Sequence, residues 1–460
     1  MAQRPQTSPR LSEVQRRIGF TVVMLLVYRL GVVVPTPGVD KEALAAFFEG
    51  AKGTILSLFN LFSGGALEQF SVFALGIMPY ITASIVFQLL VKVFKPLEEI
   101  QKEGELGRRR ITQYTRYATI GLCLVQAAVM ARGLESLTDP LGRPIVTNPG
   151  WGFRAISIVT LTSGTALLMW IGEQITERGI GNGISLIIFA GIIARVPAAI
   201  SNTYSAIDAG EIQPFTLFLL GIGMLGVLVF IIWMERAHRR IPVQYPQRMQ
   251  GRRMVQGQQS YLPLRLNTAG VIPPIFASSL MFFIPTLAQM TQGMGEAPAN
   301  AGVAVDAYYW LAHMLNRVAA YFQPGGGYFV YEIVYGTMIV LFAYFYTAIT
   351  FDPLDVADNL RRNGGFVPGI RPGHRTAEYI DRILTRLTLL GAIYLVAVCL
   401  LPSVLSTQMG VPFYFGGTGL LIVVGVALDT AQQIETHMIS RSYEGFFGGG
   451  RAVRGSRRGA

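Results

Sequence analysis

The chain has 460 residues, of which 51% are hydrophobic and only 14% charged, with a net charge of +11 and a mean hydropathy of +0.44. Soluble domains carry about a quarter of their residues as charges, so the composition excludes an ordinary globular enzyme and points to many membrane spans. The basic residues fall in alternate loops rather than in one patch, which argues against a nucleic-acid surface.

In chain order, residues 1–17 form a cytoplasmic, amphipathic N-terminus. Arg16-Arg17 and the apolar run 18–34 have the outline of a signal peptide. The run is long, however, and leads into Pro35-Thr36-Pro37-Gly38 with no small-residue cleavage site, so it reads as a retained first span. Nine further spans are expected near 70–91, 111–131, 153–171, 184–199, 215–234, 271–290, 328–349, 384–401 and 415–431. No repeat is visible, although five spans plus five suit an internally duplicated design. Lys and Arg concentrate in 1–17, 92–116, 236–265, 361–386 and 441–458, whereas 402–412 holds no charge, so both termini are expected in the cytoplasm.

Between the first two spans lies "LFNLFSGGALEQF" (58–70), apolar but broken at Ser63-Gly64-Gly65. At about 1.5 Å per residue the unbroken part cannot cross a hydrocarbon core roughly 30 Å thick. It is either re-entrant or flat on the outer surface. Non-helical backbone survives at membrane depth only within protein or facing water, and a half-helix packed into an aqueous cavity meets both demands.

On the second span Ile77, Ile81, Ser84 and Gln88 fall within about 60° of one another. Ser84 and Gln88 have two readings, a hydrogen bond to a neighbouring helix or the wall of a water-filled funnel. Gly179-Ile180-Gly181-Asn182-Gly183 reads as a tight turn between spans, because no strand precedes it to make a phosphate loop. In the seventh span Pro273 and Pro274 predict a kink, with Ala269 and Gly270 losing backbone partners; a sharper reading is a helix that shifts sideways. Loops 235–267 and 350–383 mix arginines with Pro and Gly. That pattern is ordinary positive-inside charge or marks ordered docking loops.

Cys123 and Cys399 read as packed thiols, and the four histidines lack metal spacing. An intramembrane enzyme has no convergent acid, base or nucleophile to support it. A secondary transporter of a small solute is the main alternative, but such folds place ionisable residues near the midplane. The spans here are almost free of them, Arg29 being the clearest exception, and its side chain can snorkel to the outer surface.

The segments "PTPGVD" (35–40), "FNLFSGGAL" (59–67), "ALGIMPYITASI" (74–85), "GRRRITQYTRY" (107–117), "GEQITERGIGNGIS" (172–185), "AGVIPPIFASS" (269–279), "GGFVPGIRPGHRT" (364–376) and "PFYFGGTGLLI" (412–422) resemble bacterial SecY, in family order over nearly the whole chain. The first residues and the Arg/Gly-rich 448–460 lie outside the resemblance, and Pro274 departs from the family's single-proline form.

The resemblance implies an all-α polytopic membrane protein, ten helices in two pseudo-symmetric halves, 18–199 and 200–435, with a basic cytoplasmic tail at 436–460. It implies a channel that passes unfolded preproteins across the bacterial plasma membrane and releases membrane helices laterally, with no enzymatic activity and no cofactor of its own. A re-entrant plug at about 55–70 would include Leu58, Phe59, Asn60, Leu61, Phe62, Ser63, Gly64 and Gly65. The family's pore ring carries over onto Ile77, Ile81, Ile184, Ile188, Ile275 and Ile422. Its lateral gate, made by the second, third, seventh and eighth spans, carries over with Gln88, Gln126, Asn267, Thr268 and Pro273. Arg109, Arg252, Arg253 and Arg371 would dock a motor or a ribosome. The implied partners are SecE, SecG, the motor ATPase SecA, a translating ribosome, preprotein and signal peptide, membrane lipid, and SecDF and YidC.

Overall fold

The computed structural model describes residues 9–50, 60, 63–137, 142–208, 210, 214–245, 248–250, 253–255, 259–289, 303–321, 330–409 and 417–447. Helices dominate: α1 (Pro9–Val33), α2 (Lys41–Gly50), α3 (Met78–Val93), α4 (Lys95–Lys102), α5 (Glu105–Ser136), α6 (Trp151–Arg178), α7 (Gly183–Ile193) and α8 (Val196–Asp208). There follow α9 (Pro214–Arg236), α10 (Ile272–Gln289), α11 (Val303–Tyr321), α12 (Val330–Thr350), α13 (Pro353–Arg362), α14 (His374–Met409) and α15 (Gly417–Phe447). Each of the ten expected spans falls on one of these helices or begins just ahead of it. Among the described residues six helices are long and apolar enough to cross a membrane, and the bent pair α3–α4 makes up to seven.

Three spans differ from the sequence expectation, each for a local reason. The second begins at Met78 rather than near 70, because Pro79 occupies its first turn and Gly76 just before it holds left-handed backbone at φ 58°. The fifth carries a local irregularity: α7 stops at Ile193, Ala194 and Arg195 form a turn, and α8 starts at Val196 with Pro197 in its first turn, while 183–205 together remain one apolar membrane-length stretch. The seventh is not kinked by its prolines. α10 starts at Ile272, so Pro273 and Pro274 lie in its first turn, where backbone N–H groups have no intrahelical acceptor to lose.

The glycine run at 179–183 is the expected turn. Asn182 caps α7 by accepting from the N–H groups of Ile184 (3.1 Å) and Ser185 (3.4 Å). The Gly181 N–H donates to Gln433 Oε1 on α15 (2.9 Å), and the Ile180 N–H donates to Thr21 Oγ1 on α1 (3.2 Å). The turn therefore joins three helices.

Loop 235–267 is an antiparallel hairpin, β1 (His238–Gln244) with β4 (Gln259–Arg265), bearing a shorter pair, β2 (Arg248–Gln250) with β3 (Arg253–Val255). Gln244 and Phe366 exchange backbone hydrogen bonds of 2.9 Å in both directions, so the second long loop adds to the hairpin. Ile241, Leu264, Val367, Ile380 and Leu387 close a small core beneath them. The described parts of the two loops are thus docked on each other. On the exposed, amphipathic α4, the hydrogen bond from Lys102 holds the Glu98 carboxyl below its ordinary range.

In lipid, apolar burial drives helix association only weakly, so packing and interhelical polar contacts decide which helices meet. α5 and α6 are joined at both ends. Arg116 grips Glu173 through two hydrogen bonds of 2.8 Å, and Arg154 pairs with Glu135. The main core runs through α1, α3, α6, α7, α9, α10, α12, α14 and α15.

Candidate functional site

Four helices bring a set of isoleucines together. Ile77 caps α3 and Ile81 follows one turn later; Ile184 and Ile188 stand on α7, Ile275 on α10, and Ile422 on α15. All belong to one apolar cluster, with Ile184 partly buried at its margin and the other five buried. Ile85 and Ile192, one further turn along α3 and α7, join the same cluster. Sequence reading passed over both, although the four-residue spacing from Ile81 and Ile188 was the signal. These isoleucines, the expected collar, lie in the cluster among Tyr, Phe, Met and Leu side chains, and an isoleucine offers an ion nothing to replace its hydration and a polypeptide no specific bond.

The re-entrant segment meets this collar through its root. Leu58, Phe59, Leu61 and Phe62 lie outside the described residues. Asn60 is helical, the rest of the expected half-helix ahead of Ser63 lies outside the described residues, and the backbone from Ser63 to Ile77 runs mainly in turns. Two residues of α1 hold the turn: Tyr28 Oη donates to the Ser63 carbonyl (3.2 Å) and Arg29 Nη1 to the Gly64 carbonyl (3.0 Å). The Arg29 guanidinium thus satisfies a carbonyl that the turn leaves without a helical partner. The Gly64 backbone also lies against α7, where a Cβ on Gly64 would come within 2.7 Å of Gly191 Cα. On the same root Asn60 Nδ2 and Arg195 Nη2 both donate to Glu68 Oε2, each at 2.9 Å. Glu68 and Arg195 escaped the sequence reading. Their signal was a charge at the end of an otherwise uncharged apolar segment.

α10 packs against α3, α5 and α12, which makes a seam between the second and third spans on one side and the seventh and eighth on the other. Across it Ser279 Oγ meets Met78 Sδ at 3.9 Å, with Ile81 and Ile275 in the collar nearby. Of the polar gate residues, Gln88 and Asn267 bond within or beside their own helices. Gln88 is exposed and donates to Ser84 within its own helix (3.3 Å), and Gln126 is half-buried on α5. Asn267, only 4% exposed, donates instead to Glu235 Oε1 (2.7 Å) and to the Gly270 carbonyl (3.1 Å), tying the end of α9 to the start of α10. Thr268 is half-buried beside it, and Pro273 is buried in the first turn of α10.

Of the docking arginines, Arg371 is exposed between Gly369 (φ 82°) and Gly373 (φ 106°), two left-handed turns that only glycine adopts freely. Arg109 is exposed at the start of α5 and pairs with Glu105 at 2.8 Å. Arg253 stands in β3, and Arg252 lies outside the described residues.

The SecY family model matches residues 71–431. The protein translocase subunit SecY of Escherichia coli K12 is 48% identical over 434 residues, covering 94% of both chains. Two solved structures share the fold at lower identity. One, a SecY whose plug domain is described as stabilising the closed state of the translocation channel and maintaining a membrane seal, superposes with a TM-score of 0.63 at 19% identity over 95% of each chain. The other, Sec61 from a canine ribosome–channel complex of the endoplasmic reticulum, gives 0.60 at 17% identity over 95% of each chain. The family model spans most of the helices and the identity to the bacterial subunit extends over 94% of both chains, so the chain belongs to the SecY family.

Proposed function

We propose that the isoleucine cluster is the constriction of a protein-conducting channel, that the re-entrant segment 55–70 is its plug, and that the α3–α10 seam is its lateral gate. The chain is a multi-pass membrane channel of the protein translocase family. The observation that carries the finer reading is the meeting of Ile77, Ile81, Ile184, Ile188, Ile275 and Ile422 from four helices beside the Ser63–Gly64 turn. A solute transporter would need an ionisable or polar binding group at that level, and the collar has none.

The path is oriented with both termini and the hairpin side in the cytoplasm of a bacterium, on the strength of the Lys and Arg distribution. The interlocked hairpin and Arg371 turn then face a motor such as SecA or a translating ribosome, with SecE and SecG as membrane partners. Rigid turns on both sides hold the Arg371 guanidinium out for a carboxylate or phosphate.

Planar-bilayer recording tests the seal. Deleting residues 59–67 leaves a translocating channel that opens to ions more often at rest. Adding Ile81→Ser and Ile188→Ser widens and wets the constriction and raises conductance further. A combined variant as tight as the parent would remove the assignment.

A further inference from the structure

We propose that Glu68 and Arg195 are positioning residues of the closed channel. Their ion pair seats the plug root at the end of the span whose first part is α7, and widening of the collar draws the seat away and frees the plug. The proposal rests on the channel reading above.

Three observations on the described residues carry it. First, the pair joins segments 127 residues apart, with Arg195 Nη2 and Glu68 Oε2 at 2.9 Å. Second, the root is braced around it. Asn60 donates through Nδ2 to the same carboxylate oxygen and accepts the Glu68 N–H through Oδ1 (3.1 Å), so the side chain of Asn60 holds Glu68 in position for Arg195. Third, the seat lies on the same apolar span as Ile184 and Ile188, two residues past the end of α7. Ile188 and Arg195 are seven residues apart, which at helical spacing places them within about 20° of one face and about 10 Å along the axis. Between them Gly191 touches Gly64 backbone to backbone, so α7 and the root cannot move past each other without separating.

Arg195 follows α7 at its junction with α8, where the chain still turns helically, the Ala194 N–H bonding the Ala190 carbonyl and the Ala199 N–H the Arg195 carbonyl, and its guanidinium reaches the root. A polypeptide entering at Ile188 pushes α7 outward and carries Arg195 with it. Tyr28 and Arg29 hold the Ser63–Gly64 turn from α1, which bears none of the six collar isoleucines. Movement of α7 alone therefore strains the Glu68 contact before the α1 contacts. Both side chains keep about a third of their surface exposed, 29% for Arg195 and 37% for Glu68. Such a pair biases an equilibrium without locking it, which suits a seat that each passing chain must undo.

The test uses the chain with its co-purifying membrane partners, reconstituted in planar bilayers. It compares the parent, Glu68→Gln, Arg195→Gln, the swapped Glu68→Arg/Arg195→Glu chain and the 59–67 deletion. Each single neutralisation raises the resting open probability about two- to five-fold, the size expected for a half-exposed ion pair. Preprotein transport runs at the parent's rate or faster, and the swap returns the resting value towards the parent. Raising salt increases resting openings of the parent more than those of the neutralised variants. This comparison includes a measurement on the unmutated protein: a parent insensitive to salt refutes the latch even if a variant does not assemble. Singles as tight as the parent, or a swap as leaky as the singles, refute it too while the deletion still leaks. A deletion that does not leak overturns the plug assignment beneath it.

Discussion

Gly64 and Gly65 both hold left-handed backbone, at φ 69° and 89°, yet only one of them is constrained by its surroundings. A Cβ on Gly65 meets nothing within 4 Å, whereas one on Gly64 meets the Gly191 backbone and the Tyr28 hydroxyl, both at 2.7 Å. Alanine at either site carries a left-handed penalty of about 1–2 kcal/mol. At Gly64 it adds an overpacking cost of about 1–3 kcal/mol against backbone that cannot yield. Gly64→Ala is therefore expected to unseat the plug and raise resting ion leak well above Gly65→Ala. Paired recordings of the two variants in planar bilayers check this, and equal leak would place the effect in backbone strain rather than in the Gly64–Gly191 contact. The sequence showed a Ser-Gly-Gly break. It could not show which glycine has a neighbour, because Gly191 lies 127 residues away on another helix.

Among the elements, the prolines separate what sequence made legible from what it left open. Hydropathy located the spans because a bilayer leaves a helix few other ways to satisfy its backbone. Where a span starts is a matter of one turn, and there Pro reads two ways: a kink if the helix has already begun, a start signal if it has not. At Pro79, Pro197 and Pro273-Pro274 the second holds. The seventh helix accordingly carries its prolines in its first turn, anchored there by Asn267 on Glu235. Pro274→Ala should then change stability by less than about 1 kcal/mol, since the first turn has no hydrogen bond to regain. Ser279→Pro, inside the same helix, should cost about 3 kcal/mol or more. Thermal unfolding of the two variants in detergent distinguishes the cases; a large gain from Pro274→Ala would restore the kinked reading. The Asn267–Glu235 pairing was beyond the sequence, because it depends on how the hairpin between them folds back.

At the scale of the molecule, two kinds of contact surround the collar. On one side polar bonds join helices firmly: Gly181 to Gln433, Ile180 to Thr21, and Arg116 to Glu173. Across the α3–α10 seam, among the described residues, Ser279 meets Met78 in a long, weak contact set among apolar side chains. Apolar surfaces meeting in lipid gain little over facing the lipid itself, so this seam separates more readily than the joints stitched by hydrogen bonds and ion pairs. A covalent bond there should remove that freedom. With Met78→Cys and Ser279→Cys together, mild oxidation is expected to stop preprotein transport and the lateral release of a membrane helix in proteoliposomes, and reductant to restore both. Either single-cysteine variant should transport under oxidation as well as the parent. Transport at the parent's rate with the pair demonstrably crosslinked would mean that the seam does not open, and that a passing chain widens the collar without parting α3 from α10.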